Sequence, residues 1–345
     1  MRWLKLFIVG CTATIVQADM VRVAFGSCAD ADQPDHPIWG ALYEAQSDAF
    51  LMIGDNVYAD SPSFRSNPSQ KGLETEYAKL EAAASFRRLR DVVPIYATWD
   101  DHDYGLNDGG TEFPLKDVSQ KVFFDFWRVP LDRPERQTPG IYAERWLEKA
   151  GMRVQILLLD TRYFRSALNV DAPDGRCPVR NYGINLDEEA TILGRAQWQW
   201  LEERLREPAD VHIIASSIQV ISNEHCWERW GTFPRERTRL FHTIASSGAR
   251  NVFIVSGDRH LGEISKLPET GDFGLDFPLY DVTSSPLSAR SGFGKGEVNG
   301  YRVGHDNVRV PNFGVIEINP TNRQAFLSLR DRAGETLVHT SVFLR

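Results

Sequence analysis

Five times along this sequence an apolar, β-prone run stops and residues able to hold a cation or a phosphate begin. Val21-Arg22-Val23-Ala24-Phe25 runs into Gly26-Ser27-Cys28, and Phe50-Leu51-Met52-Ile53 into Gly54-Asp55-Asn56-Val57-Tyr58. Val92-Val93-Pro94-Ile95-Tyr96 leads to Thr98–Asp108, which reads TWDDHDYGLND. Ile156-Leu157-Leu158-Leu159 leads to Asp160-Thr161-Arg162, and Val252-Phe253-Ile254-Val255 to Gly257-Asp258-Arg259-His260. Sites in α/β folds assemble at strand carboxyl ends, where loops converge and the sheet holds them rigid. A single such junction is an ordinary βα loop, in which Asp and Gly serve as cap and turn residues. Repeated junctions that supply Cys, Asp, Tyr and His fit a metal site better than independent caps. The densest is TWDDHDYGLND. Asp100, Asp101, His102 and Asp103 in succession would repel and desolvate one another, and a bound cation removes that conflict. The alternative for this stretch alone is a solvated acidic loop.

Between these runs the pattern alternates with helices. Ile38–Ala45, Leu73–Arg90, Val118–Trp127, Gly194–Leu205 and Arg239–Ser247 have helical spacing, and Asp60–Gln70 reads as a loop over the site. Tyr142–Trp146 and Val154–Leu159 read as paired strands. The C-terminal part is all strand, Phe313–Ile318, Gln324–Leu329 and Thr336–Leu344, with turns at Asn319-Pro320 and Ala333-Gly334. With 345 residues, no repeat and no evident linker, the expected fold is α/β: one domain from residue 19 onward, two β-sheets packed together with helices outside. A net charge of −8 argues against broad binding to nucleic acid or anionic membranes.

The first residues read as a cleaved leader. Met1-Arg2-Trp3-Leu4-Lys5 is basic, Leu6–Val16 is apolar but too short to span a bilayer, and Val16-Gln17-Ala18 offers small residues for cleavage before Asp19. That predicts a periplasmic or secreted protein. Ile8-Val9-Gly10-Cys11 offers a second possibility, a lipoprotein anchored through Cys11. Cys11 would leave with the leader, and Cys28 sits at a strand end. Cys177 and Cys226 remain in polar, loop-like segments, which in an exported chain suggests one disulfide; two unpaired thiols are the alternative.

GSC at Gly26–Cys28, GDNVY at Gly54–Tyr58, TWDDHDYGLND, LDTRYFR at Leu159–Arg165 and SGDRH at Ser256–His260 together resemble the PhoD-like phosphatases, a branch of the calcineurin-like metallophosphoesterases. The resemblance covers the chain from about Val21 onward. It implies a two-sheet sandwich flanked by helices and a two-metal site for phosphoester hydrolysis. Asp101-His102 stands where the wider superfamily has Asn-His, Gly257–His260 where it has Gly-His-x-His, and Cys28 where it has an Asp; these departures mark the PhoD-like branch. The resemblance implies Cys28, His260, Asp55 and a tyrosine on one metal, with Asp55 bridging. Tyr77 is the favoured tyrosine and Tyr58 its competitor. Asp55, Asp101 and Asp258 fall to the other metal, and Gln219 is either a ligand or structural. Thiolate and phenolate suit iron, and oxygen-only ligation suits calcium, so Fe3+ with Ca2+ is expected, with Zn2+, Mn2+ or Mg2+ as alternatives. Some members are longer, with a further N-terminal β domain and a C-terminal helix over the site, so a more open pocket is expected here.

For the chemistry, His102 is the candidate to touch a phosphoryl oxygen or protonate the leaving group. Arg162 and Arg259 are candidate phosphate clamps. The expected substrates are small phosphomonoesters, with diesters or nucleotides also open. Ser216, Ser217, Ser284 and Ser285 are possible nucleophiles, but none lies in a G-x-S-x-G elbow. The non-enzymatic alternative is an exported metal- or phosphate-binding protein on the same scaffold.

Overall fold

The structure, a computed structural model, describes residues 20–172, 177, 181–269, 271–292 and 294–345. The expected leader and Cys11 lie outside the described residues. Along the chain, β1 (Val21–Gly26), α1 (Ile38–Glu44), β2 (Ala49–Ile53), α2 (Pro62–Ser66), α3 (Gln70–Ala82), α4 (Ala84–Arg90) and β3 (Ile95–Thr98) come first. The short α5 (Asp101–Tyr104) and α6 (Lys116–Phe126) lead to a hairpin of β4 (Ala143–Lys149) and β5 (Met152–Leu158). A small ribbon of β6 (Asn169–Val170) and β7 (Tyr182–Gly183) follows, then α7 (Gly194–Arg204), β8 (Val211–Ala215), α8 (Pro234–Ser247) and β9 (Val252–Ser256). The chain continues through β10 (Glu263–Leu267), β11 (Leu279–Thr283), β12 (Asn312–Asn319), β13 (Gln324–Asp331) and β14 (Thr336–Phe343).

These strands make two six-stranded sheets, in the orders β14-β13-β12-β1-β2-β3 and β10-β11-β9-β8-β5-β4. Strand periodicity explains how they stack, because successive side chains point to opposite faces. In β2, Phe50 and Met52 pack under α1, α3, α4 and α6, whereas Leu51 and Ile53 face the second sheet. In β9, Phe253 and Val255 face the first sheet, whereas Val252 and Ile254 pack under α7 and α8. Each central strand is therefore buried on both faces, and the result is a four-layer α/β/β/α sandwich, the expected fold class. Full burial of a Leu, Ile or Phe contributes about 1.5–3 kcal/mol, so the strand ends rest on a stiff base.

β1, β2 and β3 run parallel in the first sheet, and β5, β8, β9 and β11 in the second. Cross-sheet hydrogen bonds pin their carboxyl ends together: Thr98 Oγ1 donates to the Leu159 carbonyl at 2.6 Å, and the Ser27 amide to the Ser284 carbonyl at 3.2 Å. All the ligand-type junctions thus emerge at one edge of the sandwich.

Three local expectations change. The helix expected over Leu73–Arg90 is two helices broken at Ala83, whose ψ of 114° is extended. Arg87 closes the break by donating to the carbonyls of Glu81 at 2.9 Å and Ala82 at 2.6 Å, groups that a helix end leaves unpaired. The expected loop over Asp60–Gln70 contains α2, capped by the Ser61 hydroxyl. The run starting at Val92 is strand only from Ile95; Val92 is exposed in the preceding turn. No helix among the described residues is long and apolar enough to cross a membrane.

Candidate metal centre

The edge where the parallel strands end gathers three overlapping sets of ligand-type groups. Cys28, Asp55 and His260 form one, Asp55, Asp101 and His102 a second, and Asp55, Asp100, Asp101 and Asp258 a third. Within each set the ligand atoms lie within 4.8 Å of one another. Asp55 belongs to all three.

The backbone bends sharply to deliver these groups. Cys28 (φ 58°), Asp55 (φ 49°), Asp258 (φ 68°) and His260 (φ 51°) all occupy the left-handed region. That conformation costs of order 1–3 kcal/mol where no glycine relieves it, and it clusters at functional sites. Gly54 also has a left-handed φ of 109°, and a Cβ there would lie 2.6 Å from Asp100 Cβ. Gly257 allows a second close approach, since its Cβ would lie 2.4 Å from the Ser27 hydroxyl. Both glycines let loops from different strands meet behind the ligands.

In the first set, Cys28 Sγ lies 3.3 Å from Asp55 Oδ2 and accepts from the Ser285 hydroxyl at 3.0 Å. His260 Nδ1 lies 2.5 Å from the Arg290 carbonyl. A carbonyl only accepts, so Nδ1 carries the proton and Nε2 presents its lone pair, as metal-ligating imidazoles do. The Tyr58 hydroxyl sits 3.0 Å from that Nε2. Tyr77, the favoured phenolate in the sequence, is elsewhere: its ring stacks on Phe126 at 4.6 Å and its hydroxyl faces Asp103 and Asn56. Of the two tyrosines, Tyr58 is the one that lies beside this set. It follows Asp55 by three residues in the same loop, whereas Tyr77 is carried into the core by α3.

The carboxylate set shows the signature of a missing counter-charge. Asp100 Oδ1 accepts from Arg162 Nε at 2.6 Å and from the Ser217 hydroxyl at 2.5 Å, yet buried Asp100 Oδ2 accepts nothing among the described residues. Asp101 Oδ2 accepts from the Asp108 amide at 2.6 Å, and buried Asp101 Oδ1 is likewise unpartnered among the described residues. Burial, with the neighbouring negative charge of Asp258, pushes the Cys28 thiol up to about 12. Burial also raises Asp258 to about 7 against the pull of Arg259, and lifts Asp55 and Asp100 well above the carboxylate range. Asp101 stays low, at about 2, because His102, Arg162 and the Asp108 amide outweigh its burial. Cations among these groups would satisfy the orphaned oxygens and reverse the upward shifts. The donor set fits metal.

His102 lines the cavity in front of these carboxylates. Its Nδ1 lies 2.6 Å from Asp60 Oδ1, and its ring stacks on Tyr58 at 4.4 Å. Burial lowers its affinity for a proton, but Asp101, Asp55 and Asp60 override this and raise it to about 11. Arg259 also lines the cavity, with Nη2 donating to Glu297 at 2.7 Å and a buried Nε that donates to nothing among the described residues. Arg162 does not reach the cavity. Its side chain is 0% exposed, locked between Asp100 and Glu228, so it braces a ligand and is not placed to clamp a phosphate. Gln219 donates its amide to Glu263 at 2.8 Å and Thr283 at 2.9 Å, and its buried Oε1 has no partner among the described residues. The serines are also spent: Ser217 braces Asp100, Ser216 links Trp230 to the Ile218 carbonyl, Ser284 bonds Asn312 and Ser285 holds Cys28.

The cavity itself is about 250 Å³. A wider groove of about 750 Å³, lined by α7 and α8, carries none of the clustered ligands, so chemistry and not size marks the site. Cys177 and Cys226 are joined, with Cα atoms 5.6 Å apart, and the bond anchors the loop that carries Trp227 and Glu228 to the cavity wall. Asp60, Trp227 and Glu228 are not marked by the sequence as site residues, and Asp100 is marked only as part of the acidic run, without a place in either ligand set. Asp100 had a local signal, as the first carboxylate of TWDDHD.

A model of the family described as PhoD-like phosphatase matches residues 23–325. The chain belongs to the PhoD-like phosphatase family. Alkaline phosphatase D of Bacillus subtilis (strain 168) is 23% identical over 301 residues, covering 76% of this chain and 50% of that protein. The chain therefore spans about half the length of this curated relative. A solved structure described as "Structure of PhoD" aligns with a TM-score of 0.68 at 16% identity, covering 94% of this chain and 69% of that one. That likeness establishes the shared PhoD fold, and the family motifs fall on the clustered residues described above.

Proposed function

We propose that the protein is a metal-dependent phosphoester hydrolase with an iron–calcium pair at this site. The observation that carries the reading is the convergence of Asp55, Asp100, Asp101 and Asp258, with two buried oxygens unpartnered among the described residues, beside Cys28, His260 and Tyr58. Thiolate, imidazole and phenolate suit iron, and the all-oxygen set suits calcium. When bound, such a pair supplies charge neutralisation for a phosphoryl group and an activated water. Asp55 would be shared between the two positions. Arg259, which lines the cavity, would meet phosphoryl oxygens with its guanidinium. His102 would donate a proton from Nε2 to the leaving oxygen, with Asp60 on Nδ1 fixing the ring. The Cys177–Cys226 bond supports an oxidising compartment, periplasmic or extracellular.

The experiment is elemental analysis of purified protein followed by turnover of chromogenic monoesters and diesters. Iron and calcium at one each per chain, with turnover, are expected. His102→Ala should lower kcat by roughly 10²–10⁴-fold while metal content holds. Full metal loading with no turnover of either ester class favours the binding-protein alternative.

A further inference from the structure

Among the described residues lining the site cavity, every side chain is polar or charged except that of Trp227. The Arg259 guanidinium lies over its indole, with the guanidinium carbon 5.3 Å from the ring centroid. An indole wall among acidic and cationic groups suits a ligand with a charged head and a flat apolar portion.

Trp227 is held there from both sides in sequence. Cys226 is tied to Cys177, and the Cys226 carbonyl accepts from the Tyr182 amide at 3.0 Å. Glu228 is buried between Arg162 at 2.6 Å and Arg165 at 2.9 Å. The residue's own backbone is claimed as well: its amide donates to His225 Nδ1 at 3.2 Å, and its carbonyl accepts from Arg229 Nη1 at 2.8 Å. A large side chain carried on a backbone fixed this firmly, with only two side-chain torsions of its own, gives up little conformational entropy when a ligand stacks on it.

We infer that Trp227 is a specificity-determining residue of this site, a stacking wall that favours phosphoesters whose ester group is a flat aromatic ring over those with an aliphatic one. The inference rests on the proposed phosphoester-binding site and adds the substrate class. It also separates two uses of the indole. A wall that only positions Arg259 would help every phosphorylated ligand equally, whereas a stacking wall helps only those with a ring.

Calorimetric titration of the metal-loaded protein with phenylphosphonate and with propylphosphonate distinguishes these, since neither phosphonate is hydrolysed. Phenylphosphonate should bind the wild type roughly 3- to 10-fold more tightly. Trp227→Ala should bring the two Kd values together, and Trp227→Phe should keep part of the difference. If Trp227→Ala does not fold, Trp227→Leu retains bulk without the π face and should show the same convergence. Equal Kd values in the wild type, an undiminished difference in the Ala or Leu variant, or an equal weakening of both phosphonates overturns the inference. Absent ester turnover with the Kd difference intact instead breaks the hydrolase reading and leaves the stacking wall standing.

Discussion

The two halves of the site are built in opposite ways. The sulfur–imidazole–phenol half is organised by the protein alone: Ser285 holds Cys28, the Arg290 carbonyl fixes His260, and the Tyr58 hydroxyl meets Nε2. The carboxylate half is not. Asp100 and Asp101 each keep one buried oxygen that nothing among the described residues satisfies. The first half is thus pre-formed, whereas the second would need a cation to satisfy its oxygens. Asp55 is the hinge between them, and the asymmetry implies unequal responses to perturbation.

The strongest way to break this comparison is to remove what the halves share. Asp55→Asn should lower activity by about 10³-fold or more, as loss of a central electrostatic group does, and should reduce the content of both metals. Loss of one metal alone would show that Asp55 serves a single half. Chelation is the next sharpest. It should strip the carboxylate half first, remove activity, lower the thermal midpoint by at least about 5 °C, and leave any visible absorption from the other half in place. Simultaneous loss of both metals would erase the proposed difference. Third, Tyr58→Phe should abolish the visible band and Tyr77→Phe should preserve it; the reverse result would return the phenolate to Tyr77.

The smallest effect lies away from the metals and serves as a control. His212 is buried on β8 beside Gln155, Nδ1 to Oε1 at 2.6 Å, and burial lowers it to about 4. Between the ordinary histidine value of about 6.5 and this lowered value, the unfolded chain binds the extra proton and the folded one does not. Stability should therefore fall as pH drops through that window, by at most a few kcal/mol. His212→Gln should flatten the slope without changing metal content. An unaltered slope would assign acid sensitivity to the site itself.

The strand junctions were legible because buried strands announce themselves by composition and metal ligands by type. The four layers, the hairpin of β4 and β5 and the C-terminal strands all followed from periodicity. β8, with His212 as its second residue, lacks a clean apolar run and is not marked by the pattern, and β10 and β11 share that weakness. The break at Ala83 was invisible because alanine favours helix, and the contact that closes the break comes from Arg87 in the next helix. Arg162 sits in a motif of clamp-like residues, but only its burial between Asp100 and Glu228 reveals that it serves a ligand.

What the sequence by itself determined is the inventory: two apolar sheets, ligand-type residues at their parallel strand ends, a cysteine pair and the family they spell. Residue type and short-range spacing carry that information, because they act through local geometry and hydrophobic periodicity. What only the tertiary structure decided is which members of the inventory meet. Tyr58 over Tyr77, Arg259 over Arg162, the entry of Asp100 and the placing of Trp227 all depend on loops from separate strands closing against one another. Those distances are set by sheet packing and by left-handed turns at Cys28, Asp55, Asp258 and His260, strained conformations that local propensity disfavours and the assembled sandwich enforces.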